Sequence, residues 1–188
     1  MKQRKREFWR KVAHVLIGTC CLFGGWLFLA RYGSDALDLA LASTLAVLVL
    51  ADVLIADYGW KLPLYHHLQR HHEIESFHTA TLGLMSSIIV LKLFALPVAI
   101  ASIAMLIYGD AASAIAGILY GNKNSALWRA IAMFVVSVLI GWVVFGWIGV
   151  MMGVVATFAE RLTFKIDDAV TIPVFAGLAG HLLMLFFL

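Results

Sequence analysis

The sequence predicts an all-α, polytopic membrane protein: a bundle of about six to seven transmembrane helices with a cytoplasmic N-terminus. The chain of 188 residues is 63% hydrophobic and only 13% charged, whereas soluble domains are about 45–50% apolar and about 25% charged. Long apolar segments follow one another, and helices whose backbone hydrogen bonds close internally are the structures that suit a bilayer. The basic residues are also unevenly distributed. We therefore expect one integral membrane domain over residues 1–188, with residues 1–11 as a basic arm.

The spans follow from the apolar segments. Several are shorter than the roughly 20 residues that cross a bilayer, so one of them need not cross fully. Pro97 separates the third from the fourth, and the fourth could continue through residues 111–120 as a broken or re-entrant element. Seven spans would put Leu188 outside. The predicted spans cover residues 12–30, 36–56, 80–96, 98–108, 130–147, 149–159 and 170–188.

The basic residues predict the orientation. Six of the fourteen Lys and Arg lie in the first 11 residues, and the stretches 57–78, 121–129 and 160–168 carry two each. Arg31 and Lys92 are left for the other side, and this bias matches the positive-inside rule. A cleaved signal peptide is disfavoured because the first apolar stretch is long and more spans follow. A net charge of +3 does not by itself indicate nucleic acid as a partner.

Small residues and cysteines within the spans predict packing. The adjacent Cys20 and Cys21 are interpreted as packing residues of the first span, with neither a disulfide nor a metal indicated. Glycines recur at three- to five-residue spacing in the fifth and sixth spans, which predicts close helix–helix contacts. These glycines are Gly141, Gly146, Gly149 and Gly153.

The first candidate site is residues 109–114, Gly-Asp-Ala-Ala-Ser-Ala, which we expect in a loop on the cytoplasmic face. Gly117, Gly121 and Lys123 follow. The carboxylate of Asp110 suits Mg²⁺, while backbone N–H groups near the glycines and the lysine suit phosphate oxygens. The alternative is a helix break with a small-residue packing face.

The second candidate site lies on the same predicted face. Glu160, Asp167 and Asp168 fall within nine residues, so a divalent-cation site is plausible. The alternative is a solvated loop in which these acids pair with Arg161 and Lys165. Adjacent aspartates cannot face the same way in a regular element, so a single one of them would be a ligand.

The third candidate site is the stretch Arg-His-His-Glu at residues 70–73. Arg70 could meet a phosphate and Glu73 could hold it in place, whereas an interfacial helix is the alternative. The pattern His67-x-x-x-His71-His72 resembles one box of the membrane di-iron desaturases and hydroxylases, but such sites need more histidines than the seven present. Asp52 and His14 lie within predicted spans, where ionisable residues face a cavity or pair with a buried polar group.

In this order the segments resemble the dolichol kinase, phytol kinase and CTP-dependent diacylglycerol kinase family, over almost the whole chain. The chain departs from the family's Lys-Ser/Thr-x-Glu-Gly-Ser/Thr stretch, reading Asn-Ser-Ala-Leu-Trp-Arg at residues 124–129, and from its Asp-Asp-Asn. The motifs that carry the resemblance are Arg10-Lys11-Val12-Ala13-His14, Asp52, Arg70-His71-His72-Glu73 with Thr79-Ala80-Thr81-Leu82-Gly83, residues 109–114 with Gly117, Gly121 and Lys123, and Glu160 with Asp167-Asp168 and Thr171-Ile172-Pro173.

The resemblance implies phosphoryl transfer from a nucleoside triphosphate, expected to be CTP from the cytoplasm, to a lipid alcohol in the bilayer. The acceptor would be a polyprenol, a phytol-like alcohol or diacylglycerol. It implies Mg²⁺ as cofactor, held by Asp110, Glu160, Asp167 and Asp168, with Asp110, Asp168 and Glu160 as catalytic residues. The residues expected at the nucleotide are Lys11, His14, Arg70, Glu73, Gly117, Gly121 and Lys123.

Two alternatives stay open. A cytidylyltransferase of the CDP-diacylglycerol synthase type would use the same metal and CTP but attack the α-phosphate, with phosphatidate as acceptor. A non-catalytic relative or lipid transporter is the other, and the missing Glu-Gly stretch favours it. No nucleic-acid partner is expected, and assembly into a homo-oligomer is left open.

Overall fold

The computed structural model describes residues 2–58, 79–120, 125–162 and 167–187, and side chains for 7–55, 79–120, 125–161 and 167–187. These residues are helical almost throughout and contain no β-strand, which confirms the all-α prediction. The helices are α1 Lys2–Tyr32, α2 Ser34–Tyr58, α3 Thr79–Leu93, α4 Leu96–Ala104, a π-helical turn Met105–Gly109, α5 Asp110–Leu119, α6 Ser125–Phe145, α7 Trp147–Leu162 and α8 Asp168–Phe187.

Within the part of the chain that the structure describes, five helical stretches are long and apolar enough to cross a membrane. They are Glu7–Tyr32, Ser34–Ile55, Leu96–Leu119, Ser125–Phe145 and Asp168–Phe187. Helix α3 is apolar but has only 15 residues. Large apolar side chains such as Phe23, Val143 and Phe186 are exposed along these helices, as expected for a surface in contact with lipid rather than water.

The third and fourth predicted spans separate where Pro97 indicates. Helix α3 ends at Leu93, and α4 begins at Leu96 with Pro97 in its first turn, where the missing N–H costs no helical hydrogen bond. Beyond that point the sequence left open a broken or re-entrant continuation. The chain continues as one helix through the π turn to Leu119, because a single π turn keeps the backbone hydrogen bonds satisfied while shifting the helix face.

The helices alternate in direction through the bundle. A β-carbon added at Gly141 would strike the backbone of Gly149, and one added at Gly153 would strike the backbone of Val138. Helices α6 and α7 are therefore antiparallel and in backbone contact, as three of the four glycines predicted. The fourth, Gly146, instead forms the turn between them with φ of 57°, a left-handed conformation that glycine adopts without strain.

Helix α3 runs parallel to α8. Ser86 donates to the carbonyl of Ala169 at 2.7 Å, and eight residues further along each helix Phe94 lies against Gly177. The buried core lies around the helix Leu96–Leu119, which packs against α6, α7 and α8. Its fully buried members include Val98, Met105, Met133, Met152 and Ile172.

Helices α1 and α2 pack against different parts of the bundle. Helix α1 packs along the π turn and α5, where Thr19 and Tyr108 share a hydrogen bond of 2.9 Å. Helix α2 packs along α3. Cys20 and Cys21 are both exposed on α1, so the prediction that they pack inside the protein was wrong. An apolar span has a lipid-facing side as well as a protein-facing side, and the sequence does not distinguish them.

Among the described helices, the alternation gathers seven ends at one end of the bundle, which we call the charged end. It is formed by the N-terminal ends of α1, α3, α6 and α8 and the C-terminal ends of α2, α5 and α7. At the opposite end Arg31 closes α1, and the side chains of Lys92 and Asp38 form an ion pair. The assignment of the charged end to the cytoplasm stays a prediction from the charge bias.

Candidate functional site

A buried ion pair joins α1 to α5. The Nζ of Lys11 donates to an Oδ atom of Asp110, and each residue is only 8% exposed. Asp110 is the first residue of α5, so it lies about 13 Å along the helix axis from Leu119 at the charged end. Two charges this far from water require each other, because a lone buried charge is strongly destabilising. Residues 109–114 are therefore helical and membrane-embedded, which corrects the prediction of a surface loop.

His14 lies beside this ion pair. It follows Lys11 by three residues on α1, and the charges of Lys11, Asp110 and Arg10 act on its ring. Its Nε2 is buried and has no hydrogen-bond partner among the described residues. A buried polar nitrogen without a partner is unusual in native proteins, so this atom is a candidate contact for a ligand.

Asp168 approaches the pair from α8. The charges of Asp110, Asp167 and Lys11 all act on its carboxyl group. Asp167 precedes α8 and accepts a hydrogen bond from the N–H of Ala169 at 2.9 Å, which is the contact of a helix N-cap. Asp167 thus lies just before the helix and Asp168 is its first residue. The expectation that adjacent aspartates face different ways holds within a regular element, so it does not apply to this pair.

Glu160 belongs to a second polar group, one helical turn further along α5. The hydroxyl of Ser113 donates to its Oε1 at 2.5 Å, and a terminal nitrogen of Arg129 lies 3.8 Å from the same oxygen. Arg129 Nε in turn donates to Ser113 Oγ at 3.4 Å. Glu160 lies within α7, which extends to Leu162, and not in the predicted loop.

Asp52 is buried in α2 and forms a third polar contact near the charged end. The hydroxyl of Thr81, itself buried in α3, donates to its Oδ2 at 2.7 Å. The sequence left open whether Asp52 lines a site or pairs with a buried polar group, and this hydrogen bond supports the pairing.

The structure thus brings Lys11, His14, Asp110, Asp167 and Asp168 into one cluster, which we call the aspartate cluster. Within the described ranges no three His, Cys, Asp or Glu side chains are arranged to hold a metal ion by themselves. The predicted site residues Arg70, Glu73, Gly121 and Lys123 lie outside the described residues.

Arg129 is the site residue that sequence reasoning missed. It was counted only as a loop cation, yet it contacts both Ser113 and Glu160. Ser113 precedes Arg129 by 16 residues and Glu160 follows it by 31, and the three lie on different helices. No pattern within one helix could therefore predict this contact. Gly117, predicted at the nucleotide, contacts the same side chain: a β-carbon added there would lie 2.9 Å from Arg129 Cδ.

Comparison with known proteins does not extend this picture. No protein-family model matches the chain, and neither the curated proteins nor the solved structures contain a significant match.

Proposed function

We propose that the protein is a membrane lipid kinase that transfers a phosphoryl group from a nucleoside triphosphate, CTP in the first instance, to a lipid alcohol. The observation that supports it most is the approach of Asp168 to the buried pair of Asp110 and Lys11. Two carboxylates and a cation from three helices act on one another in the part of the bundle that leads to the charged end, from which a lipid hydroxyl and a water-soluble nucleotide could both arrive. Ionisable side chains within a membrane bundle are energetically unfavourable, and packing the helices does not require them, so a functional role accounts for them better.

The donor set suits Mg²⁺ that arrives with a nucleotide. Mg²⁺ keeps several waters and is bound through one or two carboxylates together with substrate phosphates, rather than by an all-protein cage. Asp110 and Asp168 would be its protein ligands, with Asp167 behind Asp168. When bound, the ion would neutralise charge on the transferred phosphoryl group.

The side chains have distinct parts in the proposed reaction. The lipid hydroxyl oxygen bonds to the γ-phosphorus, the bond from that phosphorus to the bridging oxygen breaks, and the nucleoside diphosphate leaves. Asp168 would accept the hydroxyl proton, because Asp110 is engaged by Lys11. His14 Nε2, which has no partner among the described residues, would orient the hydroxyl. Glu160 acts in this proposal by holding Arg129.

The test uses purified full-length protein with γ-labelled CTP, ATP or GTP, Mg²⁺, and a panel of polyprenol, phytol and diacylglycerol. We expect labelled lipid phosphate from at least one pair, and a loss of about 10²–10⁴-fold in rate for Asp168→Asn, the range for a lost general base. Asp38→Asn, at the opposite end, is the matched control and should keep the wild-type rate. Full activity of Asp168→Asn and Asp110→Asn would refute the site.

The products separate this proposal from cytidylyl transfer. A kinase releases CDP, whereas attack at the α-phosphate with phosphatidate as acceptor releases pyrophosphate and leaves cytidine on the lipid. No turnover with any pair, by protein that remains folded, would instead favour a non-catalytic relative or lipid transporter.

A further inference from the structure

Arg129 is held in a fixed position by three helices. It is the fifth residue of α6, its Nε contacts Ser113 of α5, and its terminal nitrogen faces Glu160 of α7. Ser113 is fully buried and the Glu160 side chain is 7% exposed, whereas the Arg129 side chain is 51% exposed. The two buried side chains, Ser113 and Glu160, therefore hold the guanidinium of Arg129 in place, while about half of the arginine side chain stays exposed.

Gly117 makes room for this side chain. A β-carbon there would lie 2.9 Å from Cδ and 3.1 Å from Cγ of Arg129, closer than ordinary van der Waals contact. The aliphatic part of the arginine thus crosses α5 directly over the glycine. A larger residue at position 117 would therefore push the arginine side chain aside.

The guanidinium retains hydrogen-bonding capacity with respect to the described residues. It has five N–H donors in a planar fork, and its contacts among those residues, to Ser113 and Glu160, engage Nε and one terminal nitrogen. A guanidinium fixed by one carboxylate binds a second anion well, because its geometry suits two parallel hydrogen bonds to phosphate oxygens. Little ordering entropy is lost on binding, since the contacts already restrict the side chain.

The neighbouring groups favour an anion at the same place. Arg161 follows Glu160 on α7 and donates to the carbonyl of Ala126, one turn before Arg129 on α6. A second arginine thus bridges α7 to α6 one turn from Arg129. The rings of Tyr120 and Trp128 stack with centroids 4.6 Å apart beside this group and are partly exposed, as aromatic side chains are at the level of lipid headgroups.

We infer that Arg129, supported by Ser113, Glu160 and Gly117, is a phosphate-binding residue at the charged end of the bundle. The phosphate would belong either to the nucleotide or to an anionic lipid headgroup, which share this chemistry. This inference deepens the proposed function. The assignment of the phosphate to a nucleotide rests on that function, whereas phosphate binding by Arg129 does not depend on it.

The experiment measures binding without turnover. Full-length protein in neutral detergent is titrated with inorganic pyrophosphate or CTP, and in a second arm protein in phosphatidylcholine nanodiscs is compared with nanodiscs containing phosphatidic acid. The readout is the thermal midpoint and the apparent Kd. The variants are Arg129→Gln, Arg129→Lys and Lys92→Gln, the last a matched half-exposed cation that is also paired with a carboxylate.

We expect wild-type protein to bind at least one probe, and Arg129→Gln to bind it at least tenfold more weakly. Arg129→Lys should recover part of the affinity, because it keeps the charge and loses the fork. Lys92→Gln should match the wild type. Saturable binding of pyrophosphate identifies a soluble phosphate as the ligand, whereas a response to phosphatidic acid alone identifies a lipid headgroup.

Gly117→Ala provides a variant that keeps the arginine. It should displace the side chain and weaken binding several-fold, and it serves in place of Arg129→Gln should that protein not fold. Wild-type affinity in both Arg129→Gln and Gly117→Ala, or no binding of any probe by the wild type, would overturn the inference. Binding through Arg129 without lipid phosphorylation would refute the kinase proposal alone. Kinase activity with an unchanged KM for CTP and unchanged binding in Arg129→Gln would refute this inference alone.

Discussion

The buried pair of Lys11 and Asp110 gives the sharpest stability prediction. Removing one member of a buried ion pair costs about 3–5 kcal/mol, because the other charge is left uncompensated. The two residues are equally buried, at 8% exposure each, but they differ in how far they can relax. We therefore expect Lys11→Met and Asp110→Asn to destabilise the protein unequally.

Lys11→Met should be the more damaging change. It leaves Asp110 about 13 Å from the end of its helix and faced by Asp168, a like charge. The full cost of about 3–5 kcal/mol is expected. Asp110→Asn removes that repulsion and leaves Lys11, whose flexible stem on the N-terminal part of α1 can carry its charge toward the headgroups. We expect about 1–3 kcal/mol for this variant.

The measurement is the free energy of unfolding in mixed micelles titrated with SDS, followed by circular dichroism. The double variant Lys11→Met/Asp110→Asn should cost clearly less than the sum of the single changes, because the two residues share one interaction. Lys92→Gln, in the exposed pair with Asp38, is the control and should cost at most about 1 kcal/mol. Additive single changes, or Asp110→Asn costing more than Lys11→Met, would contradict this account of the pair.

Three further predictions use the same unfolding measurement. Gly141→Ala should destabilise by about 1–3 kcal/mol because its β-carbon meets backbone across the α6–α7 contact, whereas Gly24→Ala, with nothing within 4 Å, should not; equal effects would disprove the close contact. Thr81→Val removes a hydrogen bond to buried Asp52 and should cost about 1–3 kcal/mol; a neutral result would mean that the bond contributes nothing. Cys20→Leu should change stability by less than about 0.5 kcal/mol, since the side chain is exposed; a large loss would show that it is buried.

The sequence predicted the membrane bundle well, because a single physical effect decides that architecture. Apolar side chains and internally bonded backbone leave long helices as the solution in lipid. Pro97 marked its helix boundary for an equally local reason. Whether the helix continues through Gly109 was left open, because small residues near an acid resemble a break. The structure shows a π turn there, with Gly109 packed against Met133 and Ser137 of α6.

The candidate site was predicted only in part. Asp110 and Asp168 were chosen as acids in predicted loops, His14 as an ionisable residue within a span, and Lys11 from the family resemblance. The structure groups all four. Their pairing could not be predicted, because it depends on which faces of α1, α5 and α8 meet. Glu160 was chosen as a ligand for a metal, and the structure instead shows it bonded to Ser113 and Arg129.

The sequence by itself determined that this chain is a helical membrane protein and that Asp52 and His14 are ionisable residues within its spans. These properties follow from composition and local order, since burying a charge in lipid is costly wherever the helix lies. The tertiary structure alone decided how those charges are compensated. Lys11 pairs with Asp110, Ser113 with Glu160 and Thr81 with Asp52 across separations of 99, 47 and 29 residues. Such contacts depend on the rotation and register of packed helices, which hydrophobic periodicity leaves undetermined when every face is apolar.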